Sequence, residues 1–173
     1  MKEFDQVYQK HSREIFTFLF RMLGSEAEAR ELTQETFLTF LKEIRTSAMP
    51  QAKQRPWLYR VAKNKALNMK RDDKFRMLQV ELHPNDTPGG LQAVGKKTPE
   101  EELEQAQERR HVRDVLGQMK EREASLLQFH IAGLSYAEIA TAMSLERSTI
   151  GKALARARVS FEVLYKQVEQ SGG

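Results

Sequence analysis

The chain has 173 residues, enough for one ordinary domain or two small ones, and its 40% hydrophobic and 30% charged residues mark a globular chain. It has no cysteine, which excludes a disulfide framework and thiolate metal sites. No apolar run approaches the roughly 18–20 residues of a membrane span, and residues 1–16 lack the pattern of a signal peptide, so a cytoplasmic location without membrane insertion is expected.

The first segment reads as helix. Phe4, Tyr8, His11, Ile15, Leu19 and Met22 recur every three or four residues and predict one core-facing stripe. Gly24 stops this helix, and Ser25 with Glu28 predicts a capping box that opens a second. The second helix turns Leu32, Thr36, Phe37, Phe40, Leu41 and Ile44 inward. A polar turn from Thr46 to Gln54 follows, and Pro56 is expected in the first turn of a third helix, where its missing N–H costs nothing. That helix carries Trp57, Leu58, Val61, Ala62 and Met69 and is expected to run to about Arg71. Three such helices pack naturally as a bundle.

From about Lys74 the character changes. Residues 83–90 read His-Pro-Asn-Asp-Thr-Pro-Gly-Gly, and Gly95 follows, which breaks any regular element. A loop of this length is unusual inside one compact domain, so residues 77–106 are expected to link two domains, 1–76 and 107–173. Thr98-Pro99 followed by glutamates has the form of a capped helix start. Two apolar stripes follow, Val112, Val115, Leu116 and Met119, then Leu126, Leu127, His130 and Ile131, which Gly133 ends. Ser135 and Glu138 predict another capping box, a short helix through Met143, a tight Ser144-Leu145 turn, and a last helix lined by Ile150, Leu154, Ala157, Phe161 and Leu164. No strand pattern competes, so the fold class is all-α, with two small helical domains.

The net charge of +4 says little about partners, but its distribution says more. Residues 53–76 hold nine basic side chains against only Asp72 and Asp73, the pattern of a polyanion-binding face or of a solvated helix. Within this block Trp57, Arg60, Lys63, Asn64, Lys65, Asn68 and Arg71 mix an aromatic ring with bases and amides. That mixture suits melted DNA, where unstacked bases lie on aromatic faces and cations hold the backbone. Core packing is the commoner fate of a lone Trp57, and Asn64 and Asn68 suit base edges or solvent.

The segment 133–158 reads as a helix-turn-helix: a capped short helix, a turn of a few residues, and an amphipathic second helix. A basic helical hairpin is the bland alternative. The second helix offers Arg147, Ser148, Thr149, Lys152, Arg156 and Arg158 on its polar face. Arg147, Ser148 and Lys152 lie early enough to reach base edges, whereas Arg156 and Arg158 suit phosphates. No glycine-rich phosphate loop occurs, and the four histidines show no metal-ligand spacing; His11 and His130 read as satisfied core residues. Neither catalysis, cofactor nor metal is expected.

Taken in order, three blocks resemble one family. Residues 29–37 (Ala-Arg-Glu-Leu-Thr-Gln-Glu-Thr-Phe), the helix from Trp57 to Arg71, and Gly133 to Arg158 are similar to the signature segments of the extracytoplasmic-function (ECF) sigma factors, group IV of the bacterial sigma-70 family. The resemblance implies an RNA polymerase sigma factor that directs promoter-specific initiation. It implies that Glu31, Gln34 and Glu35 meet the clamp helices of the largest subunit of core RNA polymerase. It implies that the third helix recognises and melts the −10 element, and that the helix-turn-helix reads the −35 element and touches the polymerase flap. An anti-sigma factor is a further implied partner. Position 30 is Arg where the family usually has an acid, and Glu31 stands where Asp is common. Gly151 and Ala153 replace side chains that many members use, leaving Arg147, Ser148, Thr149 and Lys152 as base readers. Gly151 also costs up to about 1 kcal/mol of helix stability against alanine and suits close approach to DNA or to another helix. The rival from a different class is an autonomous helix-turn-helix regulator with an N-terminal sensor or dimerisation bundle.

Overall fold

The computed structural model describes residues 1–77 and 97–172, with side chains from 74 to 77 outside the description. Seven helices account for nearly all of these residues: α1 (Lys2–Leu23), α2 (Glu26–Thr46), α3 (Gln51–Met77), α4 (Pro99–Gln118), α5 (Glu121–Ile131), α6 (Tyr136–Met143) and α7 (Arg147–Ser171). They form two compact units, one built on α1–α3 and the other on α4, α5, α7 and Tyr136–Ala140 of α6. Residues 78–96, which hold most of the expected linker, lie outside the described residues.

In the first unit each helix packs against the other two. The core takes Val7, Ile15, Phe18, Leu19 and Met22 from α1, Leu32, Phe37 and Phe40 from α2, and Leu58, Tyr59, Ala62 and Ala66 from α3. Gly24 closes α1 in the left-handed conformation, at φ 71°, donating its N–H to the Phe20 carbonyl. The expected stripe on α1 is corrected at one position: Val7 is buried, while Tyr8 stays exposed and packs its ring against Phe37 at 5.0 Å between centroids. The box expected at Ser25 is half made. Ser25 Oγ accepts the Glu28 N–H at 3.3 Å, but the Glu28 carboxyl does not return the bond. Burial, and then the charges of Asp73 and Glu31, raise the Glu28 carboxyl above its ordinary pKa.

The third helix differs most from expectation. It begins at Gln51, so Pro56 lies inside it and not in its first turn, and it continues past Arg71 to Met77. Proline inside a helix loses one backbone bond and crowds the preceding turn. Here that extra turn is held by bonds from outside the helix. Gln54, itself buried, donates from Nε2 to Glu3 Oε1 at 2.9 Å and to the Met49 carbonyl at 3.4 Å. Arg55 forks onto Glu14, Nε to Oε1 at 3.0 Å and Nη2 to Oε2 at 3.3 Å. His11 Nδ1 lies 2.6 Å from the same Glu14 Oε1, so this histidine is the satisfied core residue expected. Burial alone would raise the Glu14 carboxyl, but the hydrogen bonds and charges of His11 and Arg55 outweigh it and hold the group below its ordinary range.

In the second unit Thr98 and Glu101 form a reciprocal capping box, so α4 starts at Pro99. Residues 99–106, expected as the end of the linker, are therefore helical. Val115, Met119, Leu126, Leu127, Phe129, Leu134, Ile139, Ile150, Leu154 and Ala157 are buried. Ile131, expected in the core, is 61% exposed, because α5 ends there and Gly133 turns the chain at φ 92°. The Leu134 N–H then reaches the Phe129 carbonyl at 3.1 Å, the closing bond of a Schellman motif.

Candidate nucleic-acid interface

Three exposed faces carry the residues singled out from the sequence. On α2, Ala29, Leu32, Thr33, Thr36, Phe37 and Phe40 turn inward, which leaves Glu31 and Gln34 exposed on the opposite side. Leu38 stands in the same row, 57% exposed, one turn past Gln34. Sequence reasoning missed it; the available signal was a leucine on an otherwise polar face. Arg30 is paired with Glu26 one turn back, at 2.5 Å, in the favourable acid-before-base order. Glu35 is only half-exposed and faces Lys65 of α3, Nζ to Oε2 3.8 Å.

On α3 the buried residues Leu58, Tyr59, Ala62 and Ala66 define the inner face. Arg60, Asn64, Asn68 and Arg71, spaced by three and four, run along the outer one, with Asn64, Asn68 and Arg71 exposed and Arg60 half-buried. Lys65 leans toward α2 and its Glu35, and Lys63 is half-buried on the other flank. Trp57 is half-buried against Phe40, 5.7 Å between ring centroids, so its ring serves the packing of α2 on α3 while keeping an open edge. The seven residues named for this helix thus divide into an outer row, two flanking lysines and one packed aromatic.

The second unit contributes Tyr136–Ala140 of α6 and all of α7 to the helix-turn-helix. Ser135 and Glu138 complete their capping box, with Glu138 N–H to Ser135 Oγ 3.1 Å and Ser135 N–H to Glu138 Oε1 3.0 Å. At the other end of α6, Ser144 adopts the left-handed conformation at φ 55°, and the Leu145 N–H reaches the Ala140 carbonyl at 2.9 Å. This second Schellman closure sets the direction in which α7 leaves the turn. Ile150, Leu154 and Ala157 anchor α7 in the core. Arg147, Ser148, Thr149, Lys152, Arg156 and Arg158 are all exposed. Ser148, Lys152 and Arg156, one turn apart, form a single row. Thr149 bonds its hydroxyl back to the Glu146 carbonyl at 2.7 Å, and Arg158 donates from Nη2 to His130 Nε2 at 3.2 Å. His130 is therefore not the core residue expected: it is half-buried, with a polar partner on α7. Gly151 is exposed, and a Cβ there would meet only the Tyr136 ring, at 3.7 Å.

No group of three or more His, Cys, Asp or Glu side chains among the described residues is arranged to hold a metal ion. No described helix is long and apolar enough to cross a membrane. A three-helix bundle with a basic outer helix, followed by a helix-turn-helix unit, suits the class of DNA-binding transcription factors. Comparison with known proteins narrows that class. The sigma-70 region 2 family matches residues 7–76, and the sigma-70 region 4 family matches residues 109–160. The chain is 27% identical over 169 residues to the ECF RNA polymerase sigma factor SigM of Bacillus subtilis, covering 94% of this chain and 95% of that protein. It is 26% identical over 145 residues to the ECF RNA polymerase sigma factor SigL of Mycobacterium tuberculosis, covering 83% of this chain and 78% of that one. Among solved structures the fold matches CnrH in complex with the cytosolic domain of CnrY, with TM-score 0.65, 17% identity, and 96% and 89% of the two chains covered. It also matches the sigma factor RpoE of Bartonella quintana in complex with the anti-sigma factor NepR, with TM-score 0.61, 17% identity, and 96% and 98% covered. The chain belongs to the ECF group of the sigma-70 family and is an RNA polymerase sigma factor.

Proposed function

We propose a division of labour among the three faces. The outer row of α2, Glu31, Gln34 and the exposed Leu38, with Glu35 at its edge, binds the clamp helices of core RNA polymerase. The α3 row, Arg60, Asn64, Asn68 and Arg71, holds the melted −10 strand, with Trp57, Lys63 and Lys65 at its margins. On α7, Arg147, Ser148 and Lys152 read the −35 element, Arg156 and Arg158 hold its phosphates, and Thr149 shapes the helix start. The domains carrying these roles are 1–76 and 107–173 together with the start of α4, and the second unit also meets the polymerase flap.

One observation supports the reading above the others: Asn64 and Asn68 stand exposed on a basic helix whose opposite face is core. An amide presents a donor and an acceptor to the edge of a flipped base, and neighbouring cations offset the phosphate charge. The chain performs no chemistry of its own in this scheme; it supplies binding energy for melting to the polymerase. It works in the cytoplasm, where the polymerase is. An anti-sigma factor is a further partner, in line with the sigma factor RpoE of like fold, which was solved bound to the anti-sigma factor NepR.

Single substitutions separate the two DNA functions. With core polymerase, Asn64→Ala retains promoter binding but loses permanganate reactivity of thymines in the −10 region. Lys152→Ala weakens binding itself, most at low salt, because losing a cation at the DNA lowers the salt dependence of binding. Normal strand opening by Asn64→Ala refutes the role given to the α3 row.

A further inference from the structure

The geometry points to His130 as a positioning residue for Arg158, holding that guanidinium ready for a DNA phosphate. The inference rests on the reading of Arg158 as a backbone contact and adds a residue from outside the helix-turn-helix.

Arginine has no acceptor, so in the 3.2 Å contact the Arg158 guanidinium donates and His130 Nε2 accepts. His130 is well suited to hold a long side chain because its own backbone is fixed. It occupies the last turn of α5, its carbonyl accepts the Gly133 N–H at 3.0 Å, and its neighbour Phe129 is fully buried. The Tyr136 ring lies beside the imidazole, 6.3 Å between centroids. Tyr136 also borders Gly151, three and four residues beyond Ser148 and Arg147. The His130–Tyr136 pair therefore runs along one flank of α7, from the base-reading end to Arg158.

A free arginine loses much rotamer freedom when it engages a phosphate, and ordering it beforehand reduces that loss on binding. The guanidinium carries five donors, so the bond to His130 leaves others for the phosphate. An exposed arginine on a helix needs no such partner to stay soluble. An acceptor held rigidly 28 residues away in sequence, on a different helix, restricts where that arginine can point.

The test uses the full-length chain, a labelled promoter duplex containing the −35 element, and four variants: Arg158→Ala, His130→Ala, His130→Gln, and the double variant. Affinity is measured across a series of salt concentrations. Arg158→Ala lowers the slope of log affinity against log salt by about 0.9, the signature of one lost phosphate contact. His130→Ala weakens binding by about two- to tenfold, the range expected when one long side chain must be ordered on binding. His130→Gln, whose carbonyl oxygen replaces Nε2 as acceptor, recovers affinity. In the Arg158→Ala background, His130→Ala has no further effect, whereas a merely structural role for His130 would persist there. An unchanged slope in Arg158→Ala overturns the phosphate reading itself. A normal slope change combined with unaltered or tighter binding by His130→Ala, or with an additive double variant, overturns the positioning role alone.

Discussion

Gly151→Ala separates what the fold requires from what DNA requires. Gly151 is the fifth residue of α7, beyond the first turn, where glycine costs about 1 kcal/mol against alanine because its backbone loses more freedom on folding. The new methyl meets only the Tyr136 ring, at 3.7 Å, an ordinary van der Waals contact, so no strain offsets the gain. The free variant should gain close to the full amount, raising the melting temperature of a unit of this size by about 4–8 °C. Far-UV circular dichroism during thermal unfolding measures this directly. Because nothing in the described fold demands a glycine at this exposed position among Arg147, Ser148 and Lys152, the proposed function assigns its cost to DNA binding. The same variant should therefore bind the −35 duplex more weakly despite its greater stability. A destabilised Gly151→Ala refutes the packing argument; a stabilised variant with undiminished DNA affinity refutes the assignment to DNA.

Three further outcomes follow from the geometry. Glu14 titrates below its ordinary value of 4.5 in the folded chain, so its contribution is present above that pH and is lost as the pH falls through the lowered pKa; Glu14→Gln, about 1 kcal/mol or less weaker at neutral pH, should show a flatter urea-midpoint profile through the acid range. Ser144→Gly should stabilise the chain by about 0.5–1 kcal/mol by relieving the left-handed serine, seen as a higher urea midpoint at unchanged slope, and a loss would show that the Ser144 side chain contributes more than its strain costs. Gln34→Ala and Leu38→Ala should each weaken capture of core polymerase in a pull-down titration while leaving the melting curve unchanged, because both side chains are exposed on the face of α2 that turns away from the core.

The helices were legible wherever the signal is local. Gly24 and the Ser135–Glu138 pair act within one turn and form as their spacing predicts, the cap at Thr98 with Pro99 opens α4 as expected, and the Ser25–Glu28 box is half made. The start of α3 was not legible, because the turn before Pro56 depends on Glu3 and Glu14, far away in sequence. A rule about proline at helix starts cannot see those partners. His130 misled for the same reason: its place on an apolar stripe was visible, but Arg158 on α7 was not. The polar face of α7 followed from periodicity, whereas the α2 residues came from the family resemblance and the α3 set from its mixture of aromatic, amide and basic side chains. The pairing of Glu35 with Lys65, which draws both toward the boundary between two faces, required the angle at which α2 and α3 pack.

Transcription in vitro by core polymerase supplemented with the purified chain, on a library of promoter-containing fragments with start sites mapped, tests the central claim most directly. The account predicts transcripts from discrete start sites that share −10 and −35 elements, all dependent on the added chain. The same chain without polymerase should protect those sites poorly. A tight, specific footprint by the chain alone, with no start sites gained when it is added to core polymerase, would contradict it.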